Sequence, residues 1–294
     1  MNKPLISVAM SVRNCRRTIA LAVGSIIFQS YENWELLVTD DGSTDGTLEA
    51  LKIFAHDPRM RIFSDRKNKG LPARLNEMIA RARGKFLARM DGDDISYPFR
   101  LEQQVDYLES HPDTDLVGGG ILVFDGDGSI VGKRQPPLEH ELICANPYAG
   151  FPLSHPTYCG KTEWFRKYGY INAAVRCEDQ DLLLRSYRQS RFGNIPGIVL
   201  GYREGSLELQ KILKSRRYFS NRIWLVALEA NDPISGVKGV LAQYLKGAVD
   251  IFAVKTGMQR ILLGHRARPV TAAEAESWRN VWQAAKSSSQ RGDV

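Results

Sequence analysis

Cysteine is scarce in this chain, and long apolar runs are missing. Only 4 of the 294 residues are cysteine (Cys15, Cys144, Cys159 and Cys177). Their spacing matches neither a zinc site nor a disulfide framework, so we expect reduced, packed thiols. The N-terminal run "LISVAMSV" is soon broken by Arg13 and is too short for a signal peptide. These absences predict a cytoplasmic globular protein without a disulfide scaffold.

The usual phosphate-binding loops are missing as well. The chain has no GxxxxGK[ST] segment, and no GxGxxG follows its first apolar run. Backbone amides of a P-loop or of a dinucleotide fingerprint are therefore not available to bind phosphate groups. A nucleotide ligand would need another source of positive charge.

The net charge of +7 is unevenly distributed along the chain. From Ser206 onward there are 14 Lys and Arg against 7 Asp and Glu, whereas the preceding residues contain 26 of each class. This asymmetry predicts two regions with different partners, a neutral one over 1–205 and a basic one over 206–294.

Short apolar runs alternate with helical patterns in the neutral region. Runs at 5–10, 34–39, 60–63 and 85–90 predict strands, and the segments between them repeat apolar side chains at helical spacing. Such strand–helix repeats predict parallel strands joined by right-handed crossovers, with helices on both faces of the sheet. We therefore expect an α/β fold with a mostly parallel sheet.

Three polar segments follow the predicted strands. They are "SVRN" (11–14), "DDGSTDG" (40–46) and "DGDD" (91–94). Because ligands of parallel α/β sheets bind beyond the carboxyl ends of the strands, we expect the three segments at one rim. The carboxylates of "DGDD" are hard oxygen ligands that suit Mg²⁺ or Mn²⁺, and either ion commonly also binds substrate phosphates. An acidic turn that caps the following helix is the simpler alternative.

Five segments along the chain carry motifs that are specific in combination. They are "SVAMSVRN", "WELLVTDDGSTDGT", "NKGLPARLNEMIARARGKFLARMDGDDISYPFRLEQQ", "HPTY" and "CEDQDLLLR". In this order, over about residues 5–205, the chain resembles family 2 glycosyltransferases of the GT-A fold, the type that builds bacterial surface polysaccharides. The resemblance implies a GT-A (Rossmann-like) domain that moves a sugar from a nucleotide-diphosphate donor, expected to be UDP-linked, to a saccharide hydroxyl.

The resemblance also implies where the donor nucleoside binds. Ser11 and Arg13 would line the base pocket, and Asp41 would contact the base with Asp40 beside it. The family usually carries Tyr where this chain has Arg13, so a guanidinium plane would replace an aromatic ring in stacking on the base.

A metal and a general base are implied in the same way. Asp91 corresponds to the residue near the ribose, and we expect it to share with Asp93 the binding of Mn²⁺ or Mg²⁺. Asp179 corresponds to the general base, which takes a proton from the acceptor hydroxyl as that oxygen attacks the anomeric carbon. Attack from the face opposite the leaving nucleotide inverts the configuration.

Two further residues are candidates for ligand contact. Glu178 would orient the catalytic loop or contact the acceptor, and His155 would meet the acceptor or the donor phosphate. Each has a simpler structural alternative. Acidic residues over 178–181 also suit an ordinary helix start, which the helix dipole favours, and a histidine beside proline is often a turn residue.

The basic region predicts amphipathic helices. Apolar residues at helical spacing indicate helices within 209–228, 237–252 and 271–282, the last opened by a capping box of Thr271 and Glu274. Charged residues interrupt the second pattern and make it a poor membrane span. Apolar faces near basic side chains predict contact with an anionic membrane surface, with packing on the catalytic core as a compatible alternative. The basic side chains are Lys255, Arg260, Arg266 and Arg268.

This layout suggests an acceptor that is linked to a lipid. A soluble donor would meet a head group that projects from the bilayer, which places the protein peripherally on the inner face of the cytoplasmic membrane. We expect no nucleic-acid partner, because no known binding motif accompanies the basic helices. Two other functions are compatible with these motifs. One is a phosphoryl-transfer enzyme or phosphatase with a DxD metal site, and the other is a non-catalytic sugar-binding scaffold.

Overall fold

The computed structural model describes residues 3–174, 176–205, 208–258 and 267–291. Its first half contains the predicted alternation of strands and helices. The elements are β1 (Ile6–Val12), α1 (Ile19–Ile27), β2 (Trp34–Asp40), α2 (Thr47–Lys52), β3 (Met60–Ser64), α3 (Leu71–Arg81) and β4 (Phe86–Asp91). Every residue of β2 and nearly every residue of β1 is buried, because helices cover both faces of these apolar strands. The four strands are parallel, in the spatial order β3, β2, β1, β4.

The second half completes the sheet with strands of both directions. Its elements are β5 (Ile95–Ser96), α4 (Arg100–Ser110), β6 (Leu116–Phe124), β7 (Ile130–Arg134), α5 (His140–Ile143), β8 (Cys159–Lys161), α6 (Thr162–Tyr168), α7 (Glu178–Ser186) and β9 (Phe192–Arg203). β8 lies antiparallel between β4 and β6, while β9 is parallel to β6. The predicted α/β class is confirmed, and the antiparallel β8 is an addition that local sequence patterns did not indicate.

The helices α2 and α4 both begin without a side-chain hydrogen bond from the N-cap residue, which is Gly46 for α2 and Phe99 for α4. Beside the start of α2, Asp45 accepts hydrogen bonds from Thr47 N at 3.0 Å and Thr47 Oγ1 at 2.5 Å. Asp45 thereby pairs one of the backbone N–H groups that a helix start leaves without a partner in the helix.

Three long helices follow the sheet. They are α8 (Leu209–Glu229), α9 (Pro233–Lys255) and α10 (Ala272–Arg291). α8 and α9 pack on each other, with Arg216 and Asp250 paired at 2.6 Å. None of the helices in the described ranges has both the length and the apolar character that crossing a bilayer requires. Arg260 and Arg266, which belong to the predicted basic surface, lie outside the described residues.

The last helix, α10, packs against the sheet. Trp278 is 1% exposed and packs on Phe124 with ring centroids 4.6 Å apart, while its Nε1 donates to Gly128 O at 2.8 Å. The predicted capping box is present, since Thr271 N donates to Glu274 Oε2 at 2.8 Å. For α10, packing on the core is therefore observed.

The cysteines behave as the sequence predicted. All four are free thiols, and Cys159 and Cys177 are buried. Burial raises the pKa of Cys177 to about 12, so its thiol stays protonated and packs as a small apolar group.

Candidate active site

The predicted rim forms where β2, β1 and β4 end side by side. Ser11 of β1 lies opposite Asp91 of β4, and Val12 lies opposite Asp40 of β2. Asp40 is buried and accepts a hydrogen bond from Ser64 Oγ at 3.2 Å. The three polar segments thus meet at one end of the sheet, as their positions after parallel strands predicted.

Asp41 is held by a buried arginine that sequence reasoning missed. Its carboxylate accepts hydrogen bonds from Lys69 N at 2.7 Å, Gly70 N at 3.0 Å and Arg74 Nε at 2.8 Å. Arg74 is only 2% exposed and also pairs with Asp65. The available signal was a charged residue on the apolar face of a predicted helix, where burial requires a partner. Asp41 therefore fixes the loop before α3 at the rim, and its contact with a base stays a prediction.

Arg13 and Ser11 differ in their surroundings. Ser11 is half-buried at the end of β1, whereas Arg13 is exposed just beyond it. An exposed guanidinium beside the rim can reach a planar ring without first breaking a buried ion pair. This position is compatible with the stacking that was predicted for Arg13.

Three carboxylates cluster at the end of β4 and just beyond it. Oxygen atoms of Asp91, Asp93 and Asp94 all lie within 4.8 Å of one another. Burial, followed by repulsion from Asp91, raises the pKa of Asp93 to about 6. Asp94 Oδ1 accepts from Arg203 N at 2.9 Å, while its buried Oδ2 has no hydrogen-bond partner among the described residues. Clustered hard oxygens with one atom unpaired fit a divalent cation such as Mg²⁺ or Mn²⁺.

Arg89 is a buried cation at the centre of the site. Its Nη2 donates to Asp91 Oδ1 at 2.5 Å, whereas Nε and Nη1 have no hydrogen-bond partner among the described residues. Burial is the largest single influence and lowers the pKa of Arg89, but the attractions of the surrounding groups together outweigh it and raise this pKa, with Asp91 contributing the most. The positive charge of Arg89 offsets part of the rise in the pKa of Asp93 and of Glu178, so Arg89 acts on both acidic groups of the site.

The second acidic group opens α7. Glu178 is 9% exposed, and its buried Oε2 has no hydrogen-bond partner among the described residues. Burial, followed by the charge of Asp179, raises the pKa of Glu178 to about 7. Asp179 is half-buried, and burial raises its pKa too. The first turn of α7 therefore carries two carboxyl groups that hold protons more tightly than free side chains do.

A fully buried aspartate fixes the orientation of α7. Asp181 pairs with Arg185 one turn further along at 2.9 Å and with Arg222 of α8 at 2.5 Å. Each carboxylate oxygen thus has its own guanidinium partner, which offsets the desolvation of the charge. The same contact joins the catalytic region to the C-terminal helices.

His155 lies inside the fold. Its Nε2 shares a hydrogen bond of 2.8 Å with Tyr170 Oη, and only 8% of the residue is exposed. Burial and the nearby charge of Arg89 lower the pKa of His155 well below its usual value. A neutral imidazole has no full charge to offer a phosphate group, and the contact predicted for His155 remains untested.

Comparison with known proteins agrees with the motifs. The model of the family described as "Glycosyl transferase family 2" matches residues 7–171. EpsE of Bacillus subtilis, which is named as a glycosyltransferase, is 39% identical over 209 residues, or 69% of this chain and 74% of EpsE. UDP-Glc:alpha-D-GlcNAc-diphosphoundecaprenol beta-1,3-glucosyltransferase WfgD of Escherichia coli is 33% identical over 137 residues, or 47% of this chain and 53% of WfgD.

A solved structure has the same fold. The mannosyltransferase PcManGT from Pyrobaculum calidifontis, in complex with GDP-Man and Mn²⁺, superimposes with a TM-score of 0.60 at 17% identity. The match covers 100% of this chain and 87% of PcManGT. The likeness establishes the predicted GT-A architecture for the described chain.

Proposed function

Because the chain belongs to glycosyl transferase family 2, we propose that it is a metal-dependent, inverting glycosyltransferase. It moves a sugar, expected to be a hexose, from a nucleotide-diphosphate donor, expected to be UDP-linked, to a hydroxyl of a lipid-linked saccharide. The product is part of a surface polysaccharide. The observation that carries this proposal is the pair of acidic groups, Asp91–Asp94 and Glu178–Asp179, which both interact electrostatically with the buried Arg89.

The donor binds at the rim formed by β1, β2 and β4. Ser11, Arg13, Asp40 and Asp41 contact the nucleoside, and Asp91 lies near the ribose. The UDP-glucose named for WfgD supports a UDP donor, while the GDP-Man named for PcManGT makes a GDP-linked sugar the second donor to test.

Asp93 and Asp91 hold the divalent metal, for which the Mn²⁺ in the PcManGT complex is the support from a neighbouring structure. When bound, such an ion supplies positive charge that stabilises the diphosphate and the departing nucleotide. Arg89 orients the carboxylate of Asp91 through their 2.5 Å ion pair. The protein thereby offsets carboxylate repulsion on one side of the cluster before any ligand arrives.

The transfer is a single displacement with Asp179 as the base. The acceptor oxygen forms a bond to the anomeric carbon as the bond from that carbon to the nucleotide diphosphate breaks. The acceptor proton passes to the carboxylate of Asp179. Burial raises the pKa of Asp179, which makes it a stronger base than a free aspartate. Because burial raises the pKa of Glu178 to about 7, this group is mainly protonated below that pH and then adds little negative charge beside the base.

The two regions of the chain have different roles in this proposal. Residues 1–205 bind the donor and carry out the chemistry, and residues 206–294 provide the acceptor side and the membrane contact. Large apolar side chains are exposed on α9, which supports a peripheral position on the anionic inner face of the cytoplasmic membrane. They are Ile234, Val237, Leu241, Tyr244, Leu245, Val249 and Phe252. Nucleic acid is not a partner in this proposal.

A panel of UDP- and GDP-linked sugars with Mn²⁺ tests the proposed activity. We expect one donor to be hydrolysed slowly in the absence of an acceptor. Calorimetry should show that this donor binds only when the metal is present. Asp93→Ala should weaken this metal-dependent binding, whereas Asp113→Ala, a change at an exposed position, should not. Turnover of a phosphate ester with no turnover of any nucleotide sugar would refute the function. Unchanged donor affinity in Asp93→Ala would refute the metal assignment.

A further inference from the structure

A cavity of about 420 Å³ lies between the start of α7 and the helices α8 and α9. Gln180 of α7, Ser215 of α8 and Gln243 of α9 are among its lining residues. It is therefore separate from the rim of strand ends where the donor is expected. The cavity is formed where the catalytic region meets the C-terminal helices.

The lining of this cavity is strongly basic. Four of its twelve lining residues are Arg176, Lys211, Arg216 and Lys246, and none of the twelve is acidic. Arg216 is paired with Asp250 at 2.6 Å and Lys211 with the exposed Glu208, whereas Arg176 forms no ion pair within the part of the chain that the structure describes. The cavity is thus suited to an anionic ligand.

Several contacts hold the basic side of the cavity in place. Ser215 Oγ donates to Arg176 O at 2.6 Å, which ties the loop before α7 to α8. Lys246 Nζ donates to Ala149 O at 2.8 Å and so lies against the opposite loop. The positive groups therefore come from three segments that are fixed to one another, and the ligand does not have to assemble them.

The cavity lies next to the segment that carries the proposed catalytic base. Gln180 lines it and directly follows Asp179 in the first turn of α7. Gln180 also accepts a hydrogen bond from Phe151 N at 2.7 Å, which fixes the wall between the cavity and the active site. An anion bound here would lie one residue along the chain from Asp179, close to where the acceptor sugar is needed.

We propose that this cavity binds the diphosphate group of a lipid-linked acceptor, with Arg176, Lys211 and Lys246 as its cationic ligands. The inference rests on the proposed function, because it places the acceptor sugar at Asp179. Guanidinium and ammonium groups form charge-assisted hydrogen bonds with phosphate oxygens, and a diphosphate offers several such oxygens to groups from different segments.

An adjoining apolar cavity favours binding of a lipid-linked diphosphate over binding of free pyrophosphate. Arg216 and Gln243 also line a second cavity of about 340 Å³. The rest of that cavity is mainly apolar, with Leu213, Ala248 and Ile251 in its wall. A hydrocarbon chain that leaves the diphosphate can bury apolar surface there, whereas inorganic pyrophosphate cannot.

Calorimetric titration with farnesyl diphosphate in the presence of EDTA tests the proposal. EDTA removes divalent metal, so binding through the aspartate cluster does not contribute. We expect the double variant Arg176→Gln/Lys211→Gln to bind farnesyl diphosphate at least about 10-fold more weakly than the unmodified protein, since the loss of even one charge-assisted hydrogen bond corresponds to about a tenfold change. Both side chains are exposed, so the variant should fold.

The matched control is Lys167→Gln/Lys214→Gln, which removes the same charge at exposed positions outside the cavity. Control affinity equal to that of the double variant would overturn the proposal, as would unchanged affinity in the double variant. Inorganic pyrophosphate should bind more weakly than farnesyl diphosphate, and equal affinities would exclude the lipid-linked source. Farnesol has no diphosphate group, so it should bind the double variant and the control variant with equal affinity. Donor binding with Mn²⁺, measured on the same samples, reports separately on the proposed function.

Discussion

Replacing Glu178 with glutamine should change how the stability of the protein depends on pH. Glu178 is 9% exposed, and burial with the neighbouring charge of Asp179 raises its pKa from 4.5 to about 7. In the unfolded chain the same group titrates near its ordinary value. Between these two values the folded state binds more protons than the unfolded state, so the free energy of unfolding falls as the pH rises.

The size of this effect follows from the two pKa values. A change from 4.5 to about 7 corresponds to roughly 3 kcal/mol of stability that is present below pH 4.5 and lost once the pH exceeds about 7. Glutamine does not titrate, so Glu178→Gln lacks this loss. Relative to the unmodified protein, the variant should therefore gain about 3 kcal/mol between pH 4.5 and pH 8.

Urea unfolding, followed by tryptophan fluorescence at several pH values, measures this gain. The informative quantity is the difference in the free energy of unfolding between variant and unmodified protein, because other titrating groups largely cancel in it. Glu141→Gln is the control, since the side chain of Glu141 is 68% exposed and its substitution should give a flat difference. A flat difference for Glu178→Gln as well would refute the role of burial in raising the pKa of this group.

Two further substitutions test the base and the packing of α10. Asp179→Asn should retain donor binding and lose transfer activity by about 10²- to 10⁴-fold, and equal activity in that variant would remove Asp179 from the mechanism. Trp278→Ala should lower the free energy of unfolding by about 3–5 kcal/mol, because Trp278 is 1% exposed against the sheet. Trp224→Ala, at a position that is 40% exposed, is the control, and an equal loss in both variants would argue against a core role for Trp278.

The early strands and helices were predictable because their signals are local. Apolar runs such as "WELLVT" read as buried strands, and β2 is indeed buried throughout. The position of "DGDD" after the fourth run also placed the acidic cluster at the rim. The antiparallel β8 was not predictable, since its three residues owe their state to hydrogen bonds with β4 and β6.

The two buried arginines of the site show the limit of pattern reading. Arg74 appeared as one charge within an apolar helix face, and its three-way contact with Asp41, Asp65 and Glu77 depends on how the loop folds back. Arg89 appeared as a charge beside the acidic motif, and its ion pair with Asp91 is a contact between neighbours in sequence. Its effect on the pKa of Glu178, 89 residues further along, has no signal in the local sequence.

The sequence by itself determined the class of fold, the alternation of its first elements and the polar segments that gather at the strand ends. These depend on side-chain periodicity and on residues adjacent in the chain. Only the tertiary structure decided that Trp278 of α10 packs on the sheet and that Arg222 of α8 pairs with Asp181. It also decided that basic residues from three segments line one cavity. These contacts join residues far apart in sequence, and packing of the whole chain determines which distant side chains share a buried space.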